Sequence, residues 1–403
     1  MALQQMFAGR TERMKASEIR ELLKLLDQPG ITSFAGGIPD PDLFPADAFT
    51  DAFAQALSPK TQSVALQYSV SEGYLPLRKW IAGQMAKIDV PCDPENILIT
   101  SGSQQALDYL GKLFLSPQDT ALVGWPTYMG ALGAFNPYEP VYGQLSVNGN
   151  RSAEDHAAQA KADGGRVKFA YLSADFANPT GETVDQRGRE SVLELAEALD
   201  CAVIEDAAYQ ALRYDGDPVP SILALELARK GDLEACRTIY CGSFSKTLSP
   251  GLRVGWVVAA KPVISQLVLM KQAADLHSAT INQMAICTVA ESIFDSHVQT
   301  VRNVYSERRD CMLAALEMHM PEGVSWTKPQ GGMFVWLTLP AHMDGAELLD
   351  VALDTEKVAF VPGKAFFADG SVANSLRLSF SCASPEMIQD GIRRLGRVIR
   401  ATM

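Results

Sequence analysis

No apolar run in the chain approaches the roughly 20 consecutive residues that a membrane-spanning helix needs, so no membrane partner is expected. The opening MALQQMFAGRTERMKASEIREL lacks an apolar core followed by a small-residue cleavage site, so it is not read as a secretory signal. Cysteine is scarce. The seven residues Cys92, Cys201, Cys236, Cys241, Cys287, Cys311 and Cys382 are scattered, odd in number and contain no C-x-x-C pair. That pattern argues against a disulfide framework and a zinc site, and for reduced thiols in a cytoplasmic protein. Positive charge is also short: 35 Lys and Arg against 47 Asp and Glu leave a formal net charge of −12. A nucleic-acid partner needs a basic face and is not expected, although a local anion site remains open. No internal repeat or low-complexity segment is found.

What is present is a globular composition, 47% hydrophobic and 20% charged, over 403 residues, enough for two or more packed units. Near the start, Ser17 precedes an apolar-periodic run of Ile19, Leu22, Leu23 and Leu26, and Pro29-Gly30 follows. These signals predict a helix over about Ala16–Leu26. A Gly/Pro-rich stretch, FAGGIPDPDLFP, and a second helix around Ala46–Ala56 come next. From about Asn96 short apolar strands alternate with helical segments. Strands are predicted at Ile97–Thr100, Ala121–Val123, Val167–Leu172, Ala202–Asp206, Thr238–Cys241 and Val254–Ala259, with helices at Gln104–Leu115 and Asp185–Leu199. Runs apolar on both faces, separated by helices, indicate an α/β fold with a mostly parallel sheet covered on both sides. After about Ile286 a long helical stretch leads to Met312–Met318. Strands are then expected at Met333–Leu339, Val358–Val361 and Leu376–Phe380, with a closing helix at Pro385–Arg397. The pattern implies a large central α/β domain and a smaller one built from both chain ends. Ligands of such sheets collect at the carboxyl ends of the strands.

Several polar groups sit there. Lys246 follows the strand Thr238–Cys241 within Gly242-Ser243-Phe244-Ser245-Lys246, placed either to meet a ligand or to lie solvated at the surface. Asp206 ends an apolar strand, and a carboxylate there is costly without a partner, which could be a protonated pyridine nitrogen, a structural arginine or a helix cap. Tyr209 follows it. Asn178-Pro179-Thr180-Gly181 is a turn sequence after Val167–Leu172. Thr100-Ser101-Gly102-Ser103-Gln104 joins a strand to a helix, where free N–H groups suit a phosphate and where Ser103 could equally be an ordinary N-cap. Arg253 could add a charged donor to the same phosphate. Arg377 is a lone charge in an apolar strand pattern and calls for a carboxylate, structural or from a substrate.

With these motifs in one order at strand exits, the chain resembles the fold-type-I, class I/II aminotransferases over essentially its full length. The matching segments are YSVSEGYLPLR (68–78), SGSQQALD (101–108), NPTG (178–181), DAAY (206–209), SFSKTLSPGLRVGW (243–256) and RLSFS (377–381). Within the family it looks most like the branch of α-aminoadipate and aromatic aminotransferases, as ASEIRELLKLLDQPGITSFAGGIPDPDLFP and KPQGGMFVWL suggest. It departs from the common pattern at Ala174-Asp175-Phe176-Ala177, where relatives often place Pro and Gln, and at Ala207.

The resemblance implies a mostly parallel seven-stranded sheet in a large domain (46–285), a small α/β domain (286–403) and an N-terminal arm (1–45). It implies pyridoxal 5'-phosphate, carried as an imine by Lys246, whose freed amine would move the substrate's α-proton. Asp206 would pair with the ring nitrogen, and Tyr209 and Asn178 would hydrogen-bond the phenolic oxygen. Tyr128 would stack on the ring. Ser103, Gln104, Ser243, Ser245 and Arg253 would hold the phosphate. Tyr68 would reach the cofactor of a second subunit, making the active unit a homodimer. Arg377 would clamp the substrate α-carboxylate, with Gly37 and Asn178 beside it. Arg20 matches an arginine that can meet a distal substrate carboxylate and otherwise swings away.

The implied reaction is ping-pong transfer of an amino group from an L-amino acid (2-aminoadipate or glutamate, aromatic, or large aliphatic) to a 2-oxo acid such as 2-oxoglutarate. Two alternatives stand beside it. One is a carbon–sulfur lyase or other elimination enzyme using the same cofactor. The other is a non-catalytic effector-binding domain, which would call for a DNA-binding domain of at least about 50 residues ahead of Ser17 and is the less supported.

Overall fold

The computed structural model describes residues 3–14, 30–147 and 151–403. The predicted helix Ala16–Leu26, and Arg20 with it, lies outside the described residues.

Seven strands build the main sheet: β2 (Ile97–Thr100), β3 (Thr120–Val123), β4 (Val141–Gln144), β5 (Val167–Leu172), β6 (Ala202–Asp206), β7 (Thr238–Ser243) and β8 (Gly255–Val258). β1 (Thr32–Ser33) precedes them and belongs elsewhere. Their order across the main sheet is β2-β8-β7-β6-β5-β3-β4, and β8 alone runs antiparallel to its neighbours. β2, β3 and β7 are buried along their whole length, as strands covered by helices on both faces must be. Sequence periodicity located six of these strands to within two residues at each end. It missed β4, whose Val141-Tyr142-Gly143-Gln144 forms a half-exposed edge with little apolar signal.

A second, four-stranded antiparallel sheet has the order β12-β13-β10-β9, formed by β9 (Ser325–Trp326), β10 (Phe334–Thr338), β12 (Val361–Pro362) and β13 (Ser375–Ser379). β11 (Val358–Ala359) pairs in parallel with β1. The single strand expected over Val358–Val361 is therefore two. The chain changes sheets at the fully buried Phe360, and both halves are apolar, so hydropathy cannot mark the switch. The closing helix extends to Thr402 rather than Arg397. It buries Ile388, Ile392, Leu395 and Ile399, an i, i+4, i+7, i+11 stripe, against the core beneath the second sheet.

The predicted Met312–Met318 segment is the end of one 40-residue helix, Thr280–His319. Its first turns pack Ala285, Ile286 and Val289 into the core behind β2 and β8, and its later turns pack Val301, Tyr305, Met312 and Leu316 into the core of the second sheet. The division expected near Ile286 thus falls inside a continuous rod that both cores share. The rod's midsection passes beside the loop after β7, the exit of β13 and the Gly/Pro-rich stretch after β1. No helix among the described residues is long and apolar enough to cross a membrane.

Candidate active site

The carboxyl ends of β6 and β7 bring Asp206 and the Ser243–Lys246 turn side by side, because the two strands pair with Asp206 opposite Cys241. Asp206 is 5% exposed. Its Oδ2 accepts the Tyr171 hydroxyl at 2.8 Å, its Oδ1 accepts the Ala208 amide at 3.4 Å, and no cation is ion-paired with it among the described residues. Burial raises its pKa, and the two hydrogen bonds and the nearby Lys246 charge offset this only in part. An acid that stays ionised here needs a further cation above it. Neither a helix cap nor a structural arginine fills that role, which leaves the ligand-partner option of the sequence reading. Tyr171 was not anticipated: it lies inside an apolar strand, and only the pairing of β5 with β6 brings it to the acid.

Lys246 donates from Nζ to the Gly37 carbonyl at 3.1 Å and lies 5.8 Å from the Tyr209 ring centre. Its pKa is lowered to about 8, chiefly by desolvation and next by the Arg377 and Arg253 charges, with Asp206 pulling the other way. A lysine with an ordinary pKa near 10.4 is almost wholly protonated at neutral pH, whereas one near 8 supplies roughly a tenth as free amine. It is therefore a competent nucleophile and proton carrier, not a solvated surface charge.

Arg377 projects from β13 and is fully buried. One terminal nitrogen donates to Asn178 Oδ1 at 2.8 Å and the other to the Ala35 carbonyl at 2.9 Å. Its Nε has no partner, and no carboxylate pairs with it among the described residues. Phe334 and Phe366 flank the guanidinium at 4.3 and 5.2 Å. Burial drives its pKa down to about 10. A cation held in an aromatic slot without a counter-charge is an anion receptor. Asn178 also offers its amide to the Tyr209 hydroxyl at 3.4 Å, so the NPTG turn ties the arginine to the residue following β6. Tyr128 is half-buried; desolvation raises its hydroxyl pKa, the Asp206 charge raises it further, and the Arg377 and Arg253 charges oppose this.

The turn after β2 completes the site. Ser103 is not the N-cap: Gly102 occupies that position at φ +79°, without a side-chain cap, and the helix Ser103–Phe114 begins with Ser103. The opening amides of a helix have no partners within it and present positive partial charge outward. A Cβ on Gly102 would lie 2.2 Å from an Arg253 guanidinium nitrogen, so the glycine is what lets the arginine lie along the helix start. Arg253 also donates to Ser245 Oγ at 3.4 Å, and Ser243 Oγ accepts the Ser245 amide at 3.1 Å. Gln104 turns its amide to the Gly130 carbonyl at 2.6 Å, so its side chain ties the cradle to the segment after Tyr128. Amides, hydroxyls and a guanidinium converging at a helix start suit a phosphate dianion. Together with a buried acid lacking its cation and a low-pKa lysine, this donor set fits pyridoxal phosphate.

Tyr68 stands apart, 79% exposed, edge-on to His277 with ring centres 6.0 Å apart.

The family model for class I and II aminotransferases matches residues 38–395. The aromatic-amino-acid aminotransferase 1 of Thermococcus litoralis is 41% identical, over 98% of this chain and 94% of its own. The α-aminoadipate aminotransferase of Thermus thermophilus, solved with N-(5'-phosphopyridoxyl)-L-leucine, is 40% identical, covers 100% of this chain and 99% of its own, and superposes with a TM-score of 0.88. The kynurenine aminotransferase of Pyrococcus horikoshii gives a TM-score of 0.91 at 40% identity, over 100% of this chain and 98% of its own. The chain therefore belongs to the class I and II aminotransferases, in the aromatic and α-aminoadipate branch, and is a pyridoxal-phosphate-dependent enzyme of that family.

Proposed function

We propose that the protein carries out ping-pong transamination between an L-amino acid of the 2-aminoadipate/glutamate, aromatic or large aliphatic class and a 2-oxo acid such as 2-oxoglutarate. The observation that carries this reading is Arg377: a fully buried guanidinium with no counter-ion among the described residues, tied through Asn178 to Tyr209, which lies beside Lys246. When bound, the cofactor supplies a conjugated ring that draws off the electron pair left on the amino acid's α-carbon as its C–H bond breaks.

The chain's own residues do the rest. Ser103, Gln104, Ser243, Ser245 and Arg253 would hold the phosphate end, and Tyr128 would cover the ring. Asp206, held by Tyr171, would keep the ring nitrogen protonated. Tyr209 and Asn178 would hydrogen-bond the phenolic oxygen. Arg377 takes the α-carboxylate as a fork, with Asn178 and the Gly37 backbone at its side. Holding the carboxylate by a fork would fix one orientation of the substrate and with it which bond at the α-carbon is broken, so that proton loss would win over decarboxylation. Lys246 Nζ, about 8 in pKa before it is engaged, takes that proton and delivers it. Phe334 and Phe366 flank the guanidinium and would shield its contact with the carboxylate from water.

The test is an absorption spectrum of the cofactor-loaded protein before and after glutamate. The visible band is expected to give way to the amine form's shorter-wavelength band, and Lys246→Ala should show no such conversion at comparable rate. Pyruvate and ammonia from cysteine, with no band conversion by any amino acid, would overturn the transamination reading in favour of elimination.

The homodimer with Tyr68 reaching the neighbour's phosphate is part of the proposal. Its support is the exposure of six apolar side chains within one stretch of the chain, Leu57, Val64, Leu66, Tyr68, Val70 and Leu75, a density that suits a covered surface. Sedimentation equilibrium should report twice the 43.7 kDa chain mass at micromolar concentration. A monomer with full cofactor affinity would remove Tyr68 from the site.

A further inference from the structure

We propose that Arg308 is a positioning residue for the reaction: it pins the strap Ala35–Asp40 to the exit of β13, and thereby sets where Gly37 and Ala35 meet Lys246 and Arg377. The inference rests on the transaminase reading of the site and concerns residues that reading does not use.

The strap, Ala35-Gly36-Gly37-Ile38-Pro39-Asp40, crosses directly over the two cations of the site. Its Gly37 carbonyl accepts Lys246 Nζ at 3.1 Å, and its Ala35 carbonyl accepts Arg377 at 2.9 Å. Little within the strap holds it there. Gly36 and Gly37 have no side chains to pack, and a Cβ on Gly37 would sit 3.2 Å from the Phe334 ring, a tight contact. The exposed Ile38 side chain contributes no anchor either. The Ala35 methyl is fully buried and the Ile38 carbonyl accepts from Ser381 Oγ and Cys382 Sγ; the remaining anchorage is at the ends. One end is fixed by backbone pairing, Phe34 N–H to Ala359 at 2.8 Å and Ser379 N–H to Phe34 at 2.8 Å.

The other end is fixed by side chains of the long helix. Arg308 donates to Asp40 Oδ2 at 2.7 Å, and the Asp40 amide donates to the Tyr305 hydroxyl at 2.9 Å. Both charged side chains are largely buried, 14% and 7% exposed, so the pair is shielded from solvent rather than a loose surface contact. A second Arg308 nitrogen donates to the Ser381 carbonyl, and Ser381 Oγ in turn donates to the Ile38 carbonyl at 2.7 Å. Ser381 lies four residues after Arg377. Arg308 therefore grips the strap and the segment leaving Arg377's strand at once. Without it, Asp40 is left as a buried charge without this partner, and the strap keeps the Tyr305, Ser381 and Arg377 contacts to hold it.

The experiment compares the cofactor-loaded parent with Arg308→Met, Arg308→Lys and Asp40→Asn by steady-state kinetics on glutamate and by amide hydrogen exchange of the peptide spanning residues 35–44. In Arg308→Met, KM is expected to rise about tenfold with kcat changed less than about threefold, and strap exchange to quicken about tenfold or more. Asp40→Asn should follow it. Arg308→Lys, a point charge that reaches one acceptor rather than both, should recover part of each effect. KM and strap exchange within about twofold of the parent in a folded Arg308→Met would overturn the proposal. If that variant does not fold, the same thresholds apply to Arg308→Lys and Asp40→Asn. A parent inactive on every amino acid would sink the transaminase reading instead, and the exchange measurement would still decide the pinning.

Discussion

Asp206→Asn is expected to lower kcat by about a thousandfold, equivalent to roughly 4 kcal/mol of transition-state stabilisation. The argument starts from the position of the acid. Asp206 is almost wholly buried, receives one strong hydrogen bond from Tyr171 and one weak amide contact, and is ion-paired with no cation among the described residues. In a low-dielectric setting a full negative charge facing a ring nitrogen stabilises the protonated ring far more than a neutral amide does. The asparagine keeps size and shape, so the loss isolates the charge. The same substitution should stabilise the cofactor-free protein at neutral pH by about 1 kcal/mol, because it removes a buried charge with too few partners. The sign follows from the raised pKa. An acid whose folded pKa lies above its unfolded value favours the folded state only while protonated. Stability is therefore lost as pH rises from the unfolded pKa through the folded one, and the advantage of asparagine should vanish below the ordinary aspartate range. Kinetics and thermal melts of the two proteins check both halves. A variant that loses stability and keeps kcat would mean that Asp206 is structural.

Arg377→Lys should lower kcat/KM for amino acids about a hundredfold while leaving reaction with simple amines, which have no α-carboxylate, within about threefold of the parent. Lysine retains the charge but not the fork. The arginine is held by Asn178 at one terminal nitrogen and Ala35 at the other, between two phenylalanine rings. That arrangement fixes the plane in which a carboxylate is met. An ammonium on a flexible stem fixes no plane, and in this slot it would lose solvation without recovering two parallel hydrogen bonds. Loss of a charge-assisted bidentate contact typically costs about 2–4 kcal/mol, which brackets the expected change. Equal losses for amines and amino acids would show that the substitution had disturbed the pocket rather than the carboxylate contact.

The chemistry was legible in the chain because it requires particular side chains at strand ends, and strands buried on both faces announce themselves as apolar runs. Asp206 after Ala202–Glu205 and Lys246 after β7 were visible for this reason, and so was the helix start at Ser103. What failed to show followed from the same logic. β4 is an edge strand with no apolar run to mark it. Ser103 has the composition of an N-cap, yet Gly102 takes that place because Arg253 occupies the space where a Cβ would be. Val358–Val361 reads as one strand, since a change of sheet leaves hydropathy unaltered.

By itself, then, the sequence determined the α/β class, the positions of six of the main strands along the chain and which ionisable residues lie near their carboxyl ends. Those are properties of local periodicity and of the cost of burying charge. Only the tertiary structure decided the partners: Tyr171 on Asp206, Asn178 and Ala35 on Arg377, Gly37 on Lys246, and Arg308 on Asp40. These contacts join residues from 35 to more than 300 positions apart. They exist because β5 pairs with β6 and because one helix threads both cores. No local pattern encodes which of two equally apolar strands will lie beside a given acid.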